Sequence, residues 1–290
     1  MDIASLQAFV SIAETGSFSA ASEQLYLTQP AISKRIAVLE SELDTSLFDR
    51  IGRQTSLTES GRALLPRAQK ILLEIEDSRR ILQNLSNTVS GTLRFGTSHH
   101  IGLHRLPPVL RQYTRKYPQV DLDIQFMDSE EAFRAVEHGD LELAVVTLPL
   151  HKSENLQTKC VWIDELEVVT GKTHPLAKQH KLNLKQLAQH KAILPAHGTF
   201  TREIIEQAFA KQKQTPDISM ASNYLETIKM LVSVGLGWSI LPAQMCGKEL
   251  HRLNIPELKL KRELGLVWHA RRTLSNAARE LQQLLYQEKP

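Results

Sequence analysis

The stretch "LTQ" at residues 27–29 constrains the fold more tightly than any other feature of the chain, because it is all that separates two helical patterns. Before it, Phe18, Ala21 and Leu25 fall on one side of a short helix; after it, Ile32, Ile36, Leu39 and Leu43 recur at spacings of 4, 3 and 4. Ser17 or Ser19 is placed to cap the first helix and Thr28 the second. Pro30 sits in the first turn of the second helix, where no hydrogen-bonded N–H is lost. Upstream, Ile3, Leu6, Phe9, Val10 and Ala13 form another helical stripe, ended by Gly16. Short helices joined this closely define a helix-turn-helix.

The second of these helices carries an unusual polar set. At about 100° per residue, Pro30, Lys34 and Ala37 point away from the apolar stripe, with Ser33 on the flank and Gln29 in the first turn. An isolated helix with these residues would simply present a solvated face. After a helix-turn-helix they form the face offered to a major groove: Gln pairs with adenine, Lys donates to guanine O6 and N7, and small Ser33 and Ala37 permit close approach. "DTSLFDRIGRQTSLT" then reads as a wing, two short extended pieces turning at Gly52, with Arg50 and Arg53 within reach of phosphate or a narrow minor groove. Bulk charge does not carry this reading. The net charge is +3, yet residues 1–90 hold nine Lys and Arg against eleven Asp and Glu, and all eleven histidines come later. Local placement must do it.

Thr58 is placed to cap a long helix running to about Ser86. Along it Leu64, Ala68, Ile71, Ile75, Ser78, Leu82 and Leu85 repeat at 4-3-4-3-4-3, a heptad seam interrupted by Ser78. Its length, and Glu74, Glu76, Arg79 and Arg80 outside the seam, favour a partner helix over packing on its own domain; Pro66 predicts a kink. "NTVSG" (87–91) has linker composition. Beyond it the period changes: "TLRFGT", "VDLDIQF", "LELAVVT" and "AILPA" read as strands, and 105–117, 129–138, 200–212 and 224–234 as helices. Alternation of this kind predicts a parallel sheet with helices on its faces.

At 42% apolar and 23% charged the composition is that of a soluble protein, and no run approaches the roughly 20 apolar residues of a membrane span. The start "MDIASLQAFV" lacks a basic segment and cleavage site, so a cytoplasmic location is expected. Cys160 and Cys246 are far apart and outside any CxxC arrangement, which favours buried or bystander thiols. GxSxG, HExxH, P-loop and GxGxxG patterns are absent; the GxG of "VGLGWS" fits a packed turn, and Trp162, Trp238 and Trp268 are expected in the core.

The segment "LQAFVSIAETGSFSAASEQLYLTQPAISKRIAVLESELDTSLFDRIGRQTSLTESGRALL" resembles the amino-terminal domain of LysR-type transcriptional regulators almost position by position. The resemblance continues through "GTLRFGT", "LPPVLRQYTRKYP", "GDLELAVV" and "VSVGLGWSILP". It implies a winged helix-turn-helix over residues 1–58 and a linker and dimerisation helix with hinge over 59–90. An α/β effector region would follow, built as two Rossmann-like lobes in the manner of periplasmic binding proteins: 91–161 with 267–290, and 162–266. The implied function is ligand-responsive regulation and not enzyme catalysis. The implied partners are promoter DNA, a homodimer through the linker helix, a homotetramer, RNA polymerase and a small-molecule effector. The family's base-contacting positions fall on Gln29, Pro30, Ser33 and Lys34, with Arg53 in the wing. Lys34 stands where the family often has Arg, which implies looser discrimination because Lys lacks the bidentate fork. Asp44 stands where Gly commonly ends the helix, and Asp tolerates the left-handed conformation.

In a two-lobed domain of this kind a ligand sits in the cleft, at carboxyl ends of strands and amino ends of helices. The matching stretches are "GTSHHIG", Thr147, "PAHGTFT" and "SNYLE", so Ser98, His99, His100, Thr147, His197, Thr199, Thr201 and Asn223 are the expected effector residues. Hydroxyls, histidines and helix amino termini suit a small anion; no other cofactor is implied. His100 and His104 are four apart beside His99, a spacing that can bind a metal, but no further ligand is evident in sequence and none is expected. The competing reading, a solute-binding protein or an enzyme built on the two-lobed domain, covers residues 91–290 and leaves the first ninety unexplained.

Overall fold

Asp2 opens the first helix, α1 (Ile3–Thr15), by accepting a hydrogen bond from Ser5 N, and Gly16 closes it at φ 67°. Ser17 caps α2 (Phe18–Gln24) and Thr28 caps α3 (Gln29–Leu43), with Pro30 in the first turn as its missing N–H requires. Asp44 ends α3 in the left-handed region, at φ 49° and ψ 39°, the conformation anticipated for a residue standing in for glycine. Ile32, Ile36 and Leu39 are fully buried against Leu6, Phe9 and Ile12 of α1. Leu43, expected in the same stripe, is 37% exposed, since it is the last helical residue and lies beyond that core.

The wing is an antiparallel pair, β1 (Phe48–Ile51) and β2 (Gln54–Leu57), with Phe48 opposite Leu57. Phe48 packs its ring on Phe9 and Phe18, and the Glu40 carboxylate accepts from Leu47 N and Phe48 N, which ties the wing to α3. The long helix α4 (Glu59–Asn84) follows and continues through Pro66. Near its start Gly61 is obligatory: a Cβ there would lie 2.2 Å from the Leu47 carbonyl oxygen. The predicted seam divides in two. Ala68 is fully buried, and Leu64, Leu65 and Leu72 pack on the helix-turn-helix core, whereas Ile71, Leu82 and Leu85 are 37%, 67% and 75% exposed.

The computed structural model describes the chain except Gly52, Arg53, Asn87, His180, Lys181, Lys289 and Pro290, and except the side chains of Arg50, Ile51, Gln54 and Gln83. It divides into two compact units, Met1–Ser86 and Asn87–Pro290. No helix among the described residues is long and apolar enough to cross a membrane.

The second unit begins with β3 (Gly91–Thr97), α5 (His99–His104), α6 (Leu106–Lys116), β4 (Val120–Phe126), α7 (Ser129–His138) and β5 (Leu143–Thr147). A long strand β6 (Leu156–Gly171) leads to α8 (Leu184–Ala188), β7 (Lys191–Leu194), α9 (Phe200–Lys211), β8 (Asp217–Ala221), α10 (Leu225–Ser233) and β9 (Trp238–Pro242). The chain returns through β10 (Leu250–Leu253) and β11 (Leu260–His269) and ends with α11 (Asn276–Gln287). One sheet results, in the order β4-β3-β5-β11-β6-β9-β7-β8 with β10 on β6.

Each lobe holds three parallel strands in the same relative order, β4-β3-β5 and β8-β7-β9. The expected all-parallel sheet is therefore a mixed one, because β6 and β11 run antiparallel to each other and to their neighbours β9 and β5. These two strands carry the chain from one lobe to the other and back, which requires opposite directions. Their charged residues interrupt the apolar runs by which the shorter strands are legible. The first lobe's core includes Phe95, Tyr113, Trp162 and Leu266; the second's includes Phe209, stacked on Trp238. Trp162 and Trp238 are buried and Trp268 packs partly buried against the first core, as expected.

Candidate functional site

On α3 the polar residues occupy the side opposite the buried stripe. Gln29, Pro30, Lys34 and Ala37 are exposed and Ser33 is half-buried, while Ile32, Ile36 and Leu39 on the other side are inaccessible. The backbone of Arg50 pairs with Thr55 in the wing, its side chain being among those not described, and Arg53 lies outside the described residues. The turn before α3 holds an exposed aromatic residue that the apolar pattern does not reveal. Tyr26 in the α2–α3 turn is 97% exposed at φ 52°, held by Tyr26 N donating to Glu23 O and Leu27 N to Ser22 O. The available signal was the tightness of the turn, which demands a left-handed residue where the sequence offers no glycine.

The second unit has a small polar cleft between its lobes, about 60 Å³ in volume. One lobe contributes Ser98, His99 and His100 after β3, Asp128, Ser129 and Glu130 at the start of α7, and Thr147 at the end of β5. The other contributes Pro195, Thr199 and Thr201 around the start of α9, Asn223, Tyr224 and Leu225 at α10, and Arg262 from β11. Ser98, His99, His100, Thr147, Thr199, Thr201 and Asn223 are thus brought together as expected. His197 is not; it is exposed on the β7–α9 loop, one residue before Gly198, where φ of 85° turns the chain.

Several cleft residues already have structural partners. Thr199 caps α9 by accepting from Arg202 N, and the Ser129 hydroxyl accepts from Thr147 N. Asn223 accepts from Ala196 N and donates to Asp128 of the opposite lobe. Glu130 accepts from Phe200 N, the first N–H of α9, at 2.5 Å. A carboxylate of the chain itself therefore occupies a helix amino terminus, the kind of place where an anionic ligand would bind. Burial pushes the Glu130 carboxyl above its ordinary range, against the lowering effect of the Phe200 N–H.

Beneath the cleft lies a buried charge cluster. Asp164 (2% exposed) and Arg262 (4%) face each other across β6 and β11, with Arg262 Nη2 and Nε at 2.9 and 3.2 Å from Asp164 Oδ2. Arg105 Nη2 donates to Asp164 Oδ1 at 2.6 Å, and Arg262 Nη1 donates to Thr201 at 3.1 Å. Burial alone would raise the Asp164 pKa, but the His100 ring and the two guanidinium groups together overcome it and hold the carboxyl far below its usual range. His100 is 5% exposed and its Nε2 lies 3.4 Å from Asp164 Oδ2, too far for a well-formed hydrogen bond. Burial lowers the His100 pKa below its ordinary value, against the raising effect of Asp164. Arg105, Asp164 and Arg262 are not apparent in sequence because the β6–β11 pairing register, which makes Arg262 and Asp164 direct partners, is a long-range fact.

A third potential metal ligand beside His100 and His104, which sequence reading did not find, is present in space: Glu226, from the first turn of α10. The thiols are poor candidates for chemistry. Burial raises the pKa of Cys160, and burial followed by the charge of Glu167 pushes Cys246 up to about 11, so neither is an activated thiolate.

A helix-turn-helix with an exposed polar face and a two-lobed α/β unit with a polar cleft together define a regulator with a ligand-binding domain. The chain belongs to the LysR family of transcriptional regulators, which are not enzymes. Residues 3–62 match the bacterial regulatory helix-turn-helix model of that family and residues 86–289 its substrate-binding domain. A relative from Cyanophora paradoxa named "Probable RuBisCO transcriptional regulator" is 32% identical over 284 residues, covering 94% of this chain and 88% of its own. Among solved structures, full-length OxyR from Pseudomonas aeruginosa matches with a TM-score of 0.71 at 23% identity, covering 100% of this chain and 99% of that one. Full-length CbnR in complex with its target DNA matches with a TM-score of 0.65 at 19% identity over the whole of both chains.

Proposed function

We propose that this protein binds promoter DNA through α3, with Gln29, Pro30, Ser33 and Lys34 toward the base edges and Arg50 and Arg53 of the wing toward the backbone. The observation that carries this reading is the division of α3 into an inaccessible apolar stripe and an exposed polar face at its amino-terminal half. The similarity to a DNA-bound LysR-type structure supports it. Residues 1–58 act as the reading head and 59–90 as linker and dimerisation segment. Residues 91–161 with 267–290, and 162–266, act as the two effector lobes. The exposed half of the α4 seam pairs with a second copy, two dimers assemble as a tetramer on DNA, and the assembly contacts RNA polymerase in the cytoplasm.

The cleft takes a small polar effector through Ser98, His99, His100, Thr147, Thr201 and Asn223, with Thr199 shaping its wall. An anionic group on that effector competes with Glu130 for the amino terminus of α9. Exchanging one carboxylate for another releases a tie between the lobes and alters the oligomer's geometry on the promoter.

The test is the salt dependence of binding to DNA from upstream of the protein's own gene. Affinity is expected to fall linearly on a logarithmic scale as salt rises, because Lys and Arg displace condensed counterions from phosphate. A solute-binding protein or enzyme on the same fold would show no such binding, and that outcome would remove the reading.

A further inference from the structure

His100 and His104 stand one turn apart on α5, and Glu226 reaches the same place from α10 in the opposite lobe. One ligand atom from each of the three lies within 4.8 Å of the other two. His104 Nε2 is 3.0 Å from Glu226 Oε1, and the two imidazole rings are 4.9 Å apart between centroids. An exposed His–Glu pair by itself would be an ordinary surface contact of little energetic consequence. His100 makes the difference: it is 5% exposed, its Nδ1 has no hydrogen-bond partner, and its Nε2 has only the 3.4 Å approach of Asp164 in place of a well-formed one. Buried polar groups left without a partner are rare because each forfeits its hydration, so a buried orphan imidazole beside two further ligands calls for an occupant.

We propose that His100, His104 and Glu226 form a site for a divalent first-row transition cation, Zn²⁺ foremost, at the rim of the effector cleft. Two imidazoles and one carboxylate suit such an ion and not Mg²⁺ or Ca²⁺, which take oxygen ligands. Three protein ligands leave a fourth tetrahedral position for water or for a ligand atom entering the cleft, which His100 and Leu225 also line. Ligand atoms around such an ion sit roughly 3.3 Å apart given metal–ligand bonds near 2.0–2.1 Å. The set therefore closes by small side-chain rotations, for which His104 and Glu226, with side chains 43% and 41% exposed, have room. Asp164, 3.4 Å from His100 Nε2, is placed as the carboxylate that orients a metal-bound histidine. Because α5 and α10 belong to different lobes, the ion would fasten the cleft at this edge.

The experiment is a Co²⁺ titration of the full-length, untagged protein after chelator treatment, read by the visible d–d absorption that tetrahedral Co²⁺ gives. One equivalent should saturate the band and Zn²⁺ should bleach it. His104→Ala and Glu226→Gln should each abolish it, with metal-free circular dichroism matching that of the unaltered protein. Absence of the band in the unaltered protein, or its survival in either folded variant, overturns the proposal.

Discussion

Asp164 shows how much one residue can decide. It is a buried carboxylate whose charge is matched by Arg262 and Arg105, so removing it leaves a guanidinium uncompensated in the interior. Asp164→Ala is expected to cost about 3–5 kcal/mol of stability in urea unfolding, more than a surface substitution could. The sign with pH follows from its depressed pKa. The stabilisation is complete above the ordinary value of 3.8 and is lost as pH falls through the lower folded value, so the Asp164→Ala penalty should shrink only in strong acid. At the other end of the chain, Lys34 presents an ammonium, which lacks the bidentate fork of a guanidinium. Lys34→Arg should sharpen discrimination at the base pair it faces, measured as relative affinity for single-base operator variants, because the guanidinium adds a second hydrogen bond in fixed geometry.

Elements differ in how plainly the sequence declares them. The helix-turn-helix is legible because its information is local: Ser17, Thr28 and Pro30 start helices, Gly16 stops one, and Ile32, Ile36 and Leu39 fix the buried side. The strands β6 and β11 are not, because charged residues interrupt their apolar runs and their pairing spans about a hundred positions. The α4 seam lies between these cases. Its spacing was readable, but only the structure divides it into Leu64 and Ala68, which serve the domain, and Leu82 and Leu85, which do not. Leu82→Glu with Leu85→Glu should therefore shift the protein towards monomer in sedimentation velocity without lowering the melting temperature of the helix-turn-helix unit. Gly61→Ala should do the reverse, destabilising that unit by crowding Leu47.

At the level of the second unit, the cleft followed from the topology: parallel strands end where helices begin, and most of the expected residues gather there. Its electrostatics did not follow. The hydroxyls and histidines legible in the sequence suit a small anion, and in the structure Glu130 and Asp128 also bring carboxylates into the cleft while Arg262 is already paired beneath it. Glu130 carries a pH signature. Its pKa is raised on folding, so the folded unit gains stability as pH falls through the raised value and loses it as pH climbs from 4.5 through that value. Glu130→Gln, which retains an acceptor for Phe200 N, should flatten this dependence and raise the melting temperature at neutral pH.

The protein as a whole is a regulator of the LysR family, and under the proposed function its DNA specificity resides on one face of α3. The most direct measurement is the ratio of operator to random-sequence affinity for the unaltered protein, Gln29→Ala and Lys34→Ala, at one fixed salt concentration. Each substitution should lower that ratio roughly 5- to 150-fold, equivalent to about 1–3 kcal/mol, while leaving the fold intact. Unchanged operator preference in both variants would contradict the assignment of this face.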